Sequence, residues 1–127
     1  MTHDDKELLL QDISARLPYG VIIHVNGHDE RVDEINPFEG IITCGFQSFS
    51  IDECKPYLRP MSSMTEEEWT DYQKIRMIDW VNGDINGTFI NAGLIVDWLN
   101  AHHFDYRGLI EKELAIAVTE ENNPYEN

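Results

Sequence analysis

The densest run of chemically capable side chains is His102-His103-Phe104-Asp105-Tyr106-Arg107. As a site it offers His102 or His103 as a general base, Asp105 to orient that base and Arg107 to hold an anion. A metal site built on both histidines and a carboxylate is the variant, but adjacent helical residues point about 100° apart and do not easily share one ion. The plainer reading, which we favour, is a helix C-terminus, where His and Arg suit the dipole and Asp105 pairs with Arg107. His24 and His28 with Cys44 and Cys54 suggest zinc only faintly. The cysteines lie ten positions apart and neither falls in a Cys-x-x-Cys, so packed free thiols are expected. Ser14, Ser48, Ser50, Ser62 and Ser63 stand outside any Gly-x-Ser-x-Gly. The glycines form neither a dinucleotide fingerprint nor a Walker loop, and the acids around Gly83 and Gly87 miss the EF-hand register. No metal or cofactor is expected, and the chain leans away from being an enzyme.

Charge is the feature left standing. The 127 residues hold 24 acids against 9 bases, a net charge of −15, with 42% hydrophobic residues. That length suits one domain, and that apolar content is too high for a disordered acidic tail. The acidity argues against direct binding of nucleic acid or of an anionic membrane, both of which need clustered Lys and Arg. Some acids serve helix starts: Asp4, Asp5, Glu66, Glu67 and Glu68 all fall in first turns. The remainder concentrates at Asp29, Glu30, Asp33, Glu34 and Glu39, with Asp52 and Glu53 beyond. Solubility alone is the simpler explanation of the charge; if it has a functional use, that use is expected there, as a surface for a basic site on another protein.

The elements that must position these groups follow from local pattern. Asp4 to Leu17 reads as a helix, with Leu9, Ile13 and Leu17 on one side and Lys6, Asp12 and Arg16 on the polar side. Pro18 is expected to push Leu17 out of the helical region and end it. From Tyr19 to Leu58, short β-branched runs alternate with turn chemistry. Strands are expected at Val21 to Val25, Arg31 to Ile35, Ile41 to Cys44 and around Phe46 to Ile51, with a turn over Asn26 to Asp29. The class is therefore α+β: a small antiparallel sheet or SH3-like barrel packed with the N-terminal helix and two or three later ones.

Lys55 to Pro60 reads as a connector stiffened by two prolines. Thr65 and Glu68 form a capping box, with Met64 and Trp69 as its staple, opening a helix to about Ile78. Asn82-Gly83 and Asn86-Gly87 read as turns, and a further helix runs from Asn91 to His103, stapled by Ile90 against Ile95. Leu109 to Glu113 is expected as a short helix. Leu114 to Val118 is open between strand and helix, and the tail from Thr119 is expected to be loose. No internal repeat or interdomain linker is visible.

Three stretches are word-like: Leu17-Pro18-Tyr19-Gly20-Val21, Lys55 to Glu68, and Asp97 to Lys112. In these the chain resembles an uncharacterised family of small acidic proteins encoded by phages and prophages of gut anaerobic bacteria. Similar proteins read Gly-Leu-Ala after Lys112 where this one reads Glu113-Leu114-Ala115. The resemblance implies a mobile-element accessory protein in a bacterial cytoplasm. An N-terminus without a basic, apolar leader agrees with that compartment. The leading expectation is a non-enzymatic protein that binds a host or phage protein, with inhibition as one elaboration. The alternatives are a binder or enzyme for a nucleotide or other anion using His102 to Arg107, and a homo-oligomeric structural piece.

Overall fold

The computed structural model describes residues 1–82 and 85–126, with side chains described outside 77–92. The class is α+β. Helix α1 (His3–Arg16) starts on a capping box in which the Thr2 hydroxyl accepts from Asp5 N–H and Asp5 accepts from Thr2 N–H. Leu9 and Ile13 enter the core as the period requires, but Asp12 and Arg16 are also fully buried. The polar side of α1 is thus not a solvent side. Leu17 stays in the right-handed helical region despite Pro18, and the chain tightens into a 3₁₀ turn over Leu17–Tyr19.

Strands β1 (Ile22–Val25) and β2 (His28–Arg31) form a hairpin whose two-residue turn is Asn26-Gly27, both at positive φ (50° and 83°). That geometry matches the twist of the paired strands, so His28 and Asp29 belong to β2 rather than to the turn. The chain bends at Val32-Asp33 into a second sheet of β3 (Glu34–Asn36), β4 (Ile41–Cys44) and β5 (Gln47–Ser50), all antiparallel. The fourth expected strand is shorter than its apolar pattern: Phe46 sits in the β4–β5 turn and Ile51 in a 3₁₀ turn.

The segment read as a connector is a central strand. Strand β6 (Cys54–Leu58) pairs antiparallel with β1 and parallel with β7 (Ile116–Ala117), giving the order β2-β1-β6-β7. Pro56 is tolerated because its partner on β1 is Ile23, whose own backbone groups face β2. The missing N–H of Pro56 therefore points to the other side, where pairing with β7 begins only at Tyr57. One hydrophobic cluster joins both sheets: Ile23, Val25 and Leu58 from the first, Ile42 and Phe49 from the second, with Leu9 and Ile13 of α1 and Leu109 and Leu114 near the C-terminus.

Helix α2 (Glu66–Asn82) opens on the expected capping box: Glu68 N–H donates to the Thr65 hydroxyl at 3.1 Å and Thr65 N–H to the Glu68 carboxylate at 3.0 Å. Helix α3 (Ile85–Ala101) begins earlier than expected, so Asn86-Gly87 lies inside a helix. The expected turn at Asn82-Gly83 and the staple from Ile90 lie outside the described residues or side chains. Leu109 to Glu113 forms successive turns instead of a helix, and Leu114 to Val118 contains β7. The tail is docked, not loose. Tyr125 Oη accepts from Ile22 N–H (3.1 Å) and donates to Tyr57 C=O (2.8 Å), splicing the β1–β6 ladder where the two strands part.

Candidate functional site

The His102–Arg107 segment is drawn apart by the end of α3. His102 continues the helical face: its Nδ1 lies 2.9 Å from Trp98 C=O and its ring stacks on Trp98 at 4.2 Å between centroids. His103 takes a left-handed backbone (φ 63°), which swings its ring the other way onto Tyr125, 3.6 Å between centroids. Burial, and then the positive charge of Arg16, push the His103 imidazole down to about 4. It is neutral at physiological pH, and its buried Nδ1 has no hydrogen-bond partner among the described residues.

Asp105 neither orients a histidine nor pairs with Arg107. Its two carboxylate oxygens accept from Leu109 and Ile110 N–H, both at 2.9 Å, and so hold the turn that follows Gly108. Arg107 reaches back across the molecule to Asp12 (2.7 Å), which also receives Arg16 Nε (2.9 Å). Arg16 further donates to Phe104 C=O at 2.6 Å. The Tyr106 ring lies within reach of both guanidiniums, 5.2 Å from Arg16 and 4.6 Å from Arg107, while its hydroxyl donates to Asn100. Arg107 and the Phe104 carbonyl therefore clamp α1 against the C-terminal region, while His102, Asp105 and the Tyr106 hydroxyl are spent on bonds within that region.

A groove of about 700 Å³ does open beside the two histidines, lined also by Arg59, Glu68, Glu120 and Tyr125. Arg59 and Glu68 make a two-pronged ion pair of 2.6 and 2.7 Å. The Arg59 fork holds the Glu68 carboxyl down at about 2, against the upward push of burial. The same guanidinium sits 4.2 Å from the Phe104 ring centroid. With its cation committed in this way, the groove has little left to offer an anionic ligand.

The acidic residues of the sheets play unequal parts. Asp29 is bound into a cluster across three strands. Its carboxylate takes His24 Nδ1 at 2.9 Å and the buried Tyr57 hydroxyl at 2.7 Å, and the His24 bond is the main reason its pKa lies below the ordinary value. Burial and that carboxylate raise the Tyr57 phenol to about 12. Sequence reasoning missed this cluster, although the period of two and the Asn26-Gly27 hairpin place His24 directly opposite Asp29. Glu30 is half-buried against His28 at 3.2 Å, and Asp33 accepts Gly45 N–H in the neighbouring sheet. Glu34 and Glu39 are exposed. No Lys or Arg pairs with Asp33, Glu34 or Glu39 among the described residues.

Two aromatics complete that surface. Phe38, in the β3–β4 turn, and Phe46, in the β4–β5 turn, are fully exposed at 99% and 109%. They stand in the turns at opposite ends of the four-residue strand β4. Cys44 and Cys54 are both free and buried, and burial raises their thiols to about 11 and about 12, well out of the reactive range. No helix among the described residues is long and apolar enough to cross a membrane. No protein-family model, no curated protein and no solved structure matches the chain.

Proposed function

We propose that this chain is a non-enzymatic accessory protein of phage or prophage origin, acting in a bacterial cytoplasm, that binds another protein through the acidic β3-β4-β5 sheet. The observation that carries the reading is the pair of fully exposed phenylalanines, Phe38 and Phe46, beside Asp33, Glu34 and Glu39, carboxylates with no Lys or Arg partner among the described residues. Large aromatics held in tight turns lose little entropy on binding and act as anchors, while Asp33, Glu34 and Glu39 select a basic partner and speed encounter. An acidic surface seated on a partner's basic site also blocks it, which extends the reading to inhibition of a host protein that handles nucleic acid. The phage origin rests on the resemblance in the three word-like stretches.

The test is affinity capture from bacterial lysate at physiological salt with the wild-type chain and with Phe38→Ser/Phe46→Ser. We expect a saturable partner on the wild type, lost from the double variant and from Asp33→Lys/Glu34→Lys. Equal recovery by all three would remove the sheet as the binding surface. A solution mass of two or more copies that falls to one copy in the double variant would replace this reading with homo-oligomeric assembly.

A further inference from the structure

The start of α2 carries a second surface, distinct from the acidic sheet, formed by two adjoining depressions. One, of about 610 Å³, is lined by Met61, Met64, Glu66 and Trp69; the other is the groove of about 700 Å³ lined by Glu120, Glu126 and Tyr125. Thr65 lines both, so they meet at the capping box of the helix. Trp69 is 52% exposed and Met61 36%, in a chain whose other tryptophan with a described side chain, Trp98, is half-buried in an aromatic stack. The residues around the two depressions are one-sided in charge. Glu66, Glu120 and Glu126 are exposed, and the one Lys or Arg among the described lining residues, Arg59, is spent on Glu68.

The geometry points to a docking site for a basic peptide segment of a partner protein, seating one bulky apolar side chain among Met61, Met64 and Trp69 and its Lys or Arg residues against Glu120 and Glu126. Methionine side chains re-pack around varied apolar shapes, and an exposed tryptophan is the residue type that most often dominates such contacts. Unpaired carboxylates beside an apolar pocket favour a basic occupant and disfavour an acidic one of the same shape. The ordered tail matters to this site, because the docking of Tyr125 between β1 and β6 is what holds Glu120 and Glu126 beside the groove.

The experiment selects a yeast-displayed random peptide library against the full chain at physiological salt. Selected peptides are then measured by fluorescence anisotropy and by amide shifts of the labelled protein. We expect enriched peptides to carry one bulky apolar residue near two or more Lys or Arg, and to move amides of residues 61–70 and 119–126. Affinity is expected to fall about tenfold in Trp69→Ser and several-fold in Glu120→Gln/Glu126→Gln. Met61→Ser, in the lining of the same pocket, serves as the second variant if Trp69→Ser folds poorly. No enrichment, enrichment without basic residues, shifts confined to residues 33–46, or affinities unchanged in both pocket variants would each overturn the assignment.

Discussion

His103 shows how strongly one backbone angle redirects a side chain. At φ 63° its ring leaves the face of α3 and stacks on Tyr125, where burial and neighbouring cations keep it neutral down to about pH 4. The unfolded chain takes up that proton near pH 6.5. Stability from this group is therefore complete above pH 6.5 and is lost as the pH falls through 4. His103→Gln is expected to flatten that limb of the pH–stability curve, removing a pH dependence on the order of 2 kcal/mol. Glu68 titrates in the next window down. Its folded pKa of about 2 lies below the ordinary 4.5, so its contribution stands above 4.5 and disappears between 4.5 and 2. Denaturant unfolding of Glu68→Gln across this range should show a loss on the order of 2 kcal/mol at pH 6 that closes toward pH 2.

At the scale of elements, the β1–β6 ladder depends on a residue from the far end of the chain. The Tyr125 hydroxyl satisfies both Ile22 N–H and Tyr57 C=O. Tyr125→Phe leaves these groups without partners and is expected to cost about 1–3 kcal/mol. Hydrogen exchange at the Ile22 amide should accelerate more than at Ile23, whose backbone groups face β2. The turn before β7 holds the opposite opportunity. Glu113 sits at φ 62°, a left-handed position that strains a side-chain-bearing residue. Glu113→Gly is expected to raise stability by about 1 kcal/mol, read as a higher unfolding midpoint with an unchanged denaturant slope.

Across the whole molecule, Asp12 ties the two ends of the chain together. It lies fully buried between Arg16 of its own helix and Arg107, ninety-five positions away. Asp12→Ala strands two guanidiniums, one of them wholly buried, and is expected to cost about 3–5 kcal/mol. Arg107 keeps partial exposure, so Arg107→Ala should cost less. A loss at Asp12→Ala no larger than at Arg107→Ala would show that Asp12 is not the centre of the clamp.

Short-range signals were legible in the sequence. The Thr65/Glu68 box, the Asn26-Gly27 turn and the approximate bounds of α1 each depend on residues within one or two turns of one another, where local sterics and hydrogen bonding decide the outcome. Composition likewise determined the acidic, ordered character of the chain. What only the tertiary structure decided involves partners distant in sequence. Pro56 looked like a connector because its missing N–H is harmful in most central strands, and only the pairing with β1 and the late start of β7 make it harmless. Asp12 and Arg16 looked like a solvent-facing pair because charge is ordinarily exposed, and only Arg107 and the Phe104 carbonyl compensate their burial. His102 to Arg107 read foremost as a helix C-terminus with an Asp105–Arg107 pair, and as a site only in the alternative, because polar residues close in sequence suggest a common purpose. The fold directs them to Trp98, Tyr125, the turn after Gly108, Asn100 and Asp12, since buried polar groups are held by whichever partner the packed chain brings within hydrogen-bonding distance.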